Sequence, residues 1–289
     1  MTAAELKGAP ILLIGCGDIG SAVGLQMLAG GVPVLGLRRD IGRLPRGLPG
    51  LAVDYTSSDM QHLARWDGDT VVLTPIPAEY SEAGYRKGYV GPVTRLLRAL
   101  EGAAPRRILL VSSTRVYGEQ GGAWVDEASA PMPRDYAGEL ICQAERLLLQ
   151  SPHQATIVRF GGIYGRWPSR LIQRIKTGRL RLRRPTVFGN RIHRRDCVGM
   201  LLHLLGKLQR GETLLPCYLG VDNAPVSLWE VEHWLASQLQ VMPGPGEVPV
   251  RDGAGKRCRN TRLLHSGYRL RYPDYRAGYG ALLAEHAGR

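Results

Sequence analysis

Short apolar runs alternate with stretches in which apolar residues recur every three or four positions. The runs are residues 10–15 (PILLIG), 32–37 (VPVLGL), Leu51–Asp54, 70–74 (TVVLT), Arg107–Val111 and Thr156–Phe160. Runs of that length, closed by glycine, proline or polar residues, suit strands buried on both faces of a parallel sheet. Between the first two, residues 19–29 place Ile19, Val23, Met27 and Leu28 on one side of a helix that Gly30 and Gly31 stop. A helix over 88–100 turns Val93, Leu96, Leu97 and Leu100 inward, and one over 137–149 does the same with Ile141, Ala144, Leu147 and Leu148. The polar segment after Asp54 is expected to hold another helix. Six strand–helix units in succession predict an α/β fold, a doubly wound parallel sheet of the Rossmann type.

After Gly165 the pattern loosens. Leu171–Lys176 reads as a helix and Gly178–Pro185 as a basic irregular segment. Asp196–Leu208 reads as a helix with Asp196 as its N-cap, and Leu214–Leu219 as a seventh strand returning to the sheet. Residues 227–240 form an amphipathic helix capped by Ser227, with Glu230 completing a capping box. Tyr279–His286 closes the chain with a helical turn. The expected organisation is a dinucleotide-binding domain over 1–165, its sheet completed by 186–222, and a small C-terminal lobe from 166–185 and 223–289.

Gly15-Cys16-Gly17-Asp18-Ile19-Gly20 is a GxGxxG loop between a strand and a helix. Gly15 allows the tight turn, Gly17 lets the backbone approach a pyrophosphate, and Gly20 lets the helix pack against the sheet. Asp18 and Ile19 open the helix whose N-terminus faces the phosphates. At the end of the second strand, where NAD binders place an acid for the ribose 2′-hydroxyl, stand Arg38 and Arg39. Two guanidinium groups suit a 2′-phosphate, so NADP is predicted, with NAD as the alternative.

The 289 residues carry a net charge of +13, unevenly placed. Arg159 to Arg195 holds twelve Lys/Arg and no acid, and Arg251 to Arg276 eight more against Asp252 and Asp274. Such a field attracts anions, whether substrate, cofactor phosphate or nucleic acid, or simply solvates the surface. Phe160, Tyr164, Trp167 and Phe188 interleave with the first basic run as they do in proteins that stack on bases, but no nucleic-acid recognition module is visible. Five cysteines without a CxxC pair suit a reduced, cytoplasmic protein. The seven histidines form no HxH or HExxH pair, so no metal site is expected. There is no apolar run long enough to span a bilayer. The N-terminal apolar stretch, interrupted by Gly15, Gly17 and Asp18, does not read as a secretory signal.

Five motifs in this order, GCGDIG at 15–20, VSSTRVYGEQGGAWVDE at 111–127, RFGGIYG at 159–165, NRIHRRD at 190–196 and GKRCRN at 255–260, resemble the atypical extended short-chain dehydrogenase/reductase superfamily. Within it, the chain is similar to bacterial NAD(P)-dependent epimerase/dehydratase-like proteins. The resemblance implies a Rossmann domain with a small substrate-binding lobe and an active site between them. It gives Gly15, Gly17 and Gly20 the phosphate roles, Arg38 the 2′-phosphate role and Asp54 a contact to the adenine amino group, with Thr74 beside the cofactor. It makes Ser113 the active-site hydroxyl, with Thr114 as its neighbour should the register differ, and places His193 in a motif that supports the fold and the mouth of the cleft. The basic segment feeds the substrate lobe, so Arg166, Arg170, Arg181, Arg183 and Arg184 are candidate clamps for a carboxylate or phosphate, Arg166, Arg170 and Arg183 foremost among them. The two helices near 88–100 and 137–149 pair across a homodimer in this superfamily.

One departure matters. The superfamily's chemistry uses a tyrosine and a lysine four residues apart, the lysine bringing positive charge to a phenol whose pKa near 10 is too high for a base at neutral pH. Here Tyr136 stands at the tyrosine position, but Leu140 follows, and no lysine occurs between Lys87 and Lys176. Tyr117, of the VYG turn, is a second tyrosine candidate and reads as a packing residue. Four functions stay open: an NADP-dependent oxidoreductase or epimerase-like enzyme acting on a small anionic or sugar-like molecule with an arginine brought from elsewhere, a non-catalytic NADP-binding regulator or redox sensor, an enzyme of another reaction class that exploits the fold, or a nucleic-acid-associated basic protein.

Overall fold

The computed structural model describes residues 10–57, 60, 63, 66–104, 106–118, 120–244 and 253–286. All six expected strands form, as β1 (Ile11–Ile14), β2 (Val34–Arg38), β3 (Gly50–Ala52), β4 (Thr70–Leu73), β5 (Arg107–Ser113) and β7 (Gln154–Phe160). β10 (Cys217–Gly220) joins them in one seven-stranded sheet ordered β10-β7-β5-β4-β1-β2-β3. β1 pairs in parallel with β2 and β4, Ile11 facing both Val34 and Thr70. The chain therefore reverses its direction of winding at β1, between β2 and β4. Open sheets of this kind bind ligands outside the strand C-termini at that point.

The helices follow the apolar period. α1 (Asp18–Ala29) buries Val23 and Met27. The helix expected over 88–100 begins six residues earlier, because Ser81 caps it by accepting from Gly84 N. It runs as α2 (Glu82–Tyr85), a π-helical turn (Arg86–Val90) and α3 (Gly91–Ala99). α4 (Tyr136–Leu149) starts at Asp135, whose carboxylate accepts from Gly138 N. The helix expected after Asp54 falls largely outside the described residues. No helix among the described residues is long and apolar enough to cross a membrane.

The chain divides into two compact units. One holds the chain up to Val116 with Pro133–Arg159 and Val198–Tyr218; the other holds Tyr117–Met132, Phe160–Cys197 and Leu219 onward. The first has a continuous apolar core drawn from alternate positions of the strands and from α3 and α4, including Leu12, Leu35, Val71, Leu96, Leu110, Ala144 and Ile157. Inside it lies a buried ion pair that no local pattern announced. Arg159, at the end of β7, donates to the Glu145 carboxylate of α4 from Nη2 at 2.6 Å and from Nε to both oxygens at 3.0 and 3.2 Å. Ser112 of β5 donates to the same carboxylate at 2.5 Å.

The second unit contains two short parallel pairs, β6 (Trp124–Val125) with β11 (Arg257–Cys258) and β8 (Gly162–Tyr164) with β9 (Arg191–His193). Its core joins α5 (Arg170–Lys176), α7 (Leu228–Gln238) and α8 (Tyr275–Ala284) through Ile172, Ile175, Val231, Leu235, Tyr275, Tyr279 and Leu282. Ser227 caps α7 as expected, while the Glu230 carboxylate accepts from Tyr275 Oη at 2.9 Å. Asp196 departs from expectation. It lies within the first turn of α6 (Arg194–Gln209) and is not the cap; its carboxylate accepts from Tyr268 Oη, Arg271 N and Tyr272 N. Three outside donors satisfy a fully buried acid, and the helix starts without it.

A second buried acid of this unit is less well served. Asp222 is 2% exposed; Oδ1 accepts from Ala224 N, and Oδ2 has no hydrogen-bond partner among the described residues. Burial pushes its pKa from 3.8 up to about 7, against the opposing charge of Arg191. The folded chain thus holds a proton that the unfolded chain releases, so this stabilisation is complete below pH 3.8 and is lost as pH rises through about 7. Asp222→Asn is expected to remove that loss. Urea midpoints should fall between pH 5 and 8 in the parent and stay level in the variant, a difference on the order of a few kcal/mol at pH 8. Parallel slopes in the two proteins would refute it.

Candidate functional site

The glycine loop after β1 is shaped as its sequence requires. Gly15 has φ +91, and a Cβ there would stand 2.5 Å from the Thr74 carbonyl oxygen; a Cβ at Gly20 would stand 2.9 Å from Gly15 O. Thr74, just past β4, closes the loop by donating from Oγ1 to Gly15 O at 2.5 Å. The N–H groups of Gly15 and Cys16 both bond to Leu37 O, tying the loop to β2. Gly17 is the exposed N-cap of α1 and offers its helix no side-chain cap. A Cβ at Gly17 would meet nothing nearer than 4.0 Å. The loop is therefore a glycine cradle open at the positive end of a helix, with half-buried Asp18 and Ile19 beginning the first turn. Cys16 points inward, and burial pushes its thiol up to about 12 in spite of the nearby Arg38 charge.

Arg38 and Arg39 part company at the end of β2. Arg38 folds back, donating from Nη1 to Cys16 O at 2.5 Å and to Arg43 O at 3.2 Å. Arg39 is exposed. Asp54 accepts from Thr56 N at 3.0 Å and Thr56 Oγ1 at 2.6 Å. Burial would raise its carboxyl, but the hydroxyl and amide donors, with the charge of Arg39, hold it below the usual range.

The structure separates Ser113 from Thr114. Ser113 ends β5 half-exposed, and its Oγ accepts from Arg115 N at 3.1 Å, whereas Thr114 is buried. Tyr136 opens α4 with 40% of its surface exposed and donates to Tyr80 O at 3.3 Å. Leu140, one helical turn on, is buried, with no cation at the lysine position. The cation nearby is Arg115, which sequence reasoning missed. It forms a bidentate pair with the Asp135 carboxylate, Nη2 at 2.7 Å and Nε at 3.1 Å. Its guanidinium lies 5.8 Å from the ring centroid of Tyr85, which packs edge-on against Tyr136 at 5.9 Å. Hydrogen bonding to Asp135 holds the Arg115 cation above its usual pKa despite partial burial, with smaller contributions from Tyr85 and Tyr136. The only clue in the sequence was a cation two residues beyond Ser113.

In the second unit, Tyr117 is fully buried and donates to Asp126 O at 2.7 Å. His193 is buried against Tyr272 and Tyr164, ring centroids 4.1 and 5.2 Å away, and its Nδ1 accepts from Arg195 N. Burial, with Arg195 and Arg194 adding to it, lowers its pKa to about 4, so it is neutral at pH 7. Not all of the basic run faces solvent. Arg174 and Arg181 share the buried Glu232 carboxylate, and Arg195 pairs with Glu285. Arg166 and Arg170 are exposed, Arg170 opening α5. Arg183 is exposed, its guanidinium 5.3 Å from the ring of Trp229. Trp229 lines a shallow groove with Leu182, Arg184, Pro185 and Leu228.

Neither protein-family models nor curated proteins match the chain. Solved structures do. A Methylobacillus flagellatus protein assigned as an NAD-dependent epimerase/dehydratase shares 33% identity, covering 97% of this chain and 100% of its own, with a TM-score of 0.80. The chain belongs to the epimerase/dehydratase family of extended short-chain dehydrogenases/reductases. Other solved structures share its fold at lower identity. MoeE5, solved with UDP-glucuronic acid and NAD, is 22% identical over 96% of this chain and 99% of its own, with a TM-score of 0.78. The UDP-glucuronic acid 4-epimerase of Bacillus cereus, solved with NAD, is 17% identical over 96% and 99%, with a TM-score of 0.77.

Proposed function

We propose that this epimerase/dehydratase-family chain binds NADP on the Gly15–Gly20 loop and oxidises and reduces a small anionic sugar derivative, with a nucleotide sugar the preferred class. The observation that carries this reading is that one compact unit holds the open glycine cradle together with the cluster Ser113, Arg115, Asp135 and Tyr136. The nicotinamide, when bound, supplies a hydride acceptor or donor. Ser113 then orients the substrate hydroxyl or carbonyl oxygen; Thr114, buried, is the poorer candidate. The Tyr136 hydroxyl, exposed and bonded among the described residues only to the Tyr80 carbonyl, exchanges the proton with that oxygen. Arg115 brings positive charge to the same cluster. Like any guanidinium it cannot relay a proton, so the tyrosine needs solvent or substrate for re-protonation. Gly15, Gly17, Asp18, Ile19 and Gly20 hold the pyrophosphate, Asp54 the adenine edge, and the Arg38–Arg39 corner the 2′-phosphate. Among the candidate clamps, Arg166, Arg170 and Arg183 are exposed and meet the substrate's negative charge, whereas Arg181 pairs with Glu232.

The test is a screen of NADPH oxidation and of epimerisation with nucleotide sugars, sugar acids and neutral carbonyl compounds, followed by Ser113→Ala and Tyr136→Phe on any hit. Each substitution is expected to lower kcat by about 10²- to 10⁴-fold, as loss of a positioned proton-transfer group does. Full activity in both variants would remove the assigned pair, and preference for neutral substrates would remove the clamp. A second reading, a non-catalytic NADP-binding regulator, is favoured by one observation, the buried Leu140 in the lysine's place. Tight NADPH binding with no turnover across the screen would establish it.

A further inference from the structure

The loop that follows β4 carries an exposed aromatic ring on a backbone that its neighbours fix. Residues 75–81 leave the C-terminal edge of the sheet directly after Thr74, the residue that closes the glycine loop. Ala78 N donates to Gly84 O at 3.1 Å. Ser81 Oγ accepts from Gly84 N at 3.0 Å and donates to the Glu79 carboxylate at 2.6 Å. Two glycines let the following helical segment come this close. A Cβ at Gly84 would stand 2.7 Å from Glu79 N, and one at Gly88, in the π-helical turn, 2.7 Å from Pro77 Cα. At the end of the loop the Tyr80 carbonyl accepts from Tyr136 Oη at 3.3 Å. The Tyr80 side chain is 85% exposed, and Ile76 of the same loop is exposed as well. A tyrosine in solvent on a slack loop is ordinary. This one stands on main chain that is already ordered, so a ligand meeting the ring has little loop entropy to overcome.

We propose, building on the nucleotide-sugar reading above, that Tyr80 determines specificity at that site: its carbonyl orients the Tyr136 hydroxyl, and its ring is the platform for the uncharged face of the substrate's sugar ring. Reach, charge and shape choose this occupant. The carbonyl–phenol bond sets Tyr80 beside the hydroxyl that exchanges the proton, so the part of the substrate that meets its ring is the part that carries the reacting carbon. Residues 75–81 contain no Lys or Arg and one acid, Glu79, while the next acid, Glu82, is paired with Arg86 at 3.0 Å. Such a segment repels a phosphate or carboxylate, and the anionic end of the substrate lies elsewhere. A tyrosine ring offers a flat apolar face with a hydroxyl at its edge, which complements a pyranose whose C–H bonds line its faces and whose hydroxyls line its rim.

The experiment is calorimetric titration of UDP-glucuronic acid, UDP-glucose and UDP, with saturating NADP present, into the parent chain, Tyr80→Ala and Tyr80→Phe. Thermal unfolding of each protein accompanies it. The parent is expected to hold the two nucleotide sugars more tightly than UDP. Tyr80→Ala keeps the carbonyl and removes the ring, so it should weaken both nucleotide sugars by about 10-fold, the loss that one stacked aromatic ring carries. It should leave UDP binding and the melting temperature unchanged. Tyr80→Phe, which keeps the ring, should bind all three ligands as the parent does. Unchanged nucleotide-sugar affinity in Tyr80→Ala overturns the platform, and so does a loss shared equally by UDP. A parent chain that binds UDP as tightly as the nucleotide sugars holds no sugar ring, which also overturns the platform and leaves nucleotide binding in place. A parent chain that binds none of the three removes the nucleotide-sugar reading itself, and the assignment of Tyr80 falls with it.

Discussion

Arg159→Met should cost the chain about 3–5 kcal/mol, the range for removing one member of a buried ion pair. The melting temperature should fall on the order of 10 °C. The reason is geometric. Arg159 and Glu145 are each at most 5% exposed, and without the guanidinium the carboxylate keeps, among the described residues, only the Ser112 hydroxyl inside an apolar core. The double variant Glu145→Leu/Arg159→Met leaves no orphaned charge and is expected to regain most of the loss, so the coupling energy between the two sites should be large. Urea unfolding of the parent, the two single variants and the double variant measures it. Additive losses would show that the pair is not a unit. Because Arg159, Glu145 and Ser112 come from β7, α4 and β5, the pair also fixes the register of the strand that ends in Ser113.

Gly17→Ala should separate folding from cofactor binding. A methyl group at Gly17 meets nothing nearer than 4.0 Å, and its φ of −81 lies outside the left-handed region. The variant is expected to unfold at a urea concentration close to that of the parent, the ψ of −147 at Gly17 adding only a small backbone cost. Its methyl group nevertheless stands where a pyrophosphate must approach the backbone, so NADP affinity should fall roughly 100-fold or more, about 3 kcal/mol. Gly15→Ala makes the contrast. Its φ of +91 and the 2.5 Å approach to the Thr74 carbonyl put the cost in the fold itself. Equal affinity of Gly17→Ala and parent would show that no phosphate lies on this loop.

What the sequence made legible was local. The strand runs were visible because a parallel strand is apolar on both faces, and the glycine loop because each glycine answers a separate steric demand. The helix over 82–99 was recognised only in its second half, since its apolar stripe is displaced by the π-turn at Arg86–Val90. The features that were not legible are those made by distant residues. Glu145 looks like any acid on a helix until Arg159 arrives from the next strand. Asp196 reads as a cap until the 268–272 segment folds over it. Arg115 shows itself as the cation beside Tyr136 only once Asp135 and Tyr85 have been brought to it. Arg38 looks like half of a phosphate clip, and becomes a strap only when the loop it follows in sequence is placed against it.

All five cysteines are buried, Cys16, Cys142 and Cys217 in the first unit and Cys197 and Cys258 in the second. Burial pushes the thiols of Cys16 and Cys142 up to about 12 and about 11. A thiol must be both exposed and ionised to react, so in the native state these groups are silent toward alkylating reagents and mild oxidants. Each becomes a stopwatch that starts when its own surroundings open. Mass spectrometry of peptides labelled over time would then read the opening of each unit from its own cysteines in a single experiment, without introducing any probe. Protection of Cys16 on adding dinucleotide would report occupancy of the glycine loop directly.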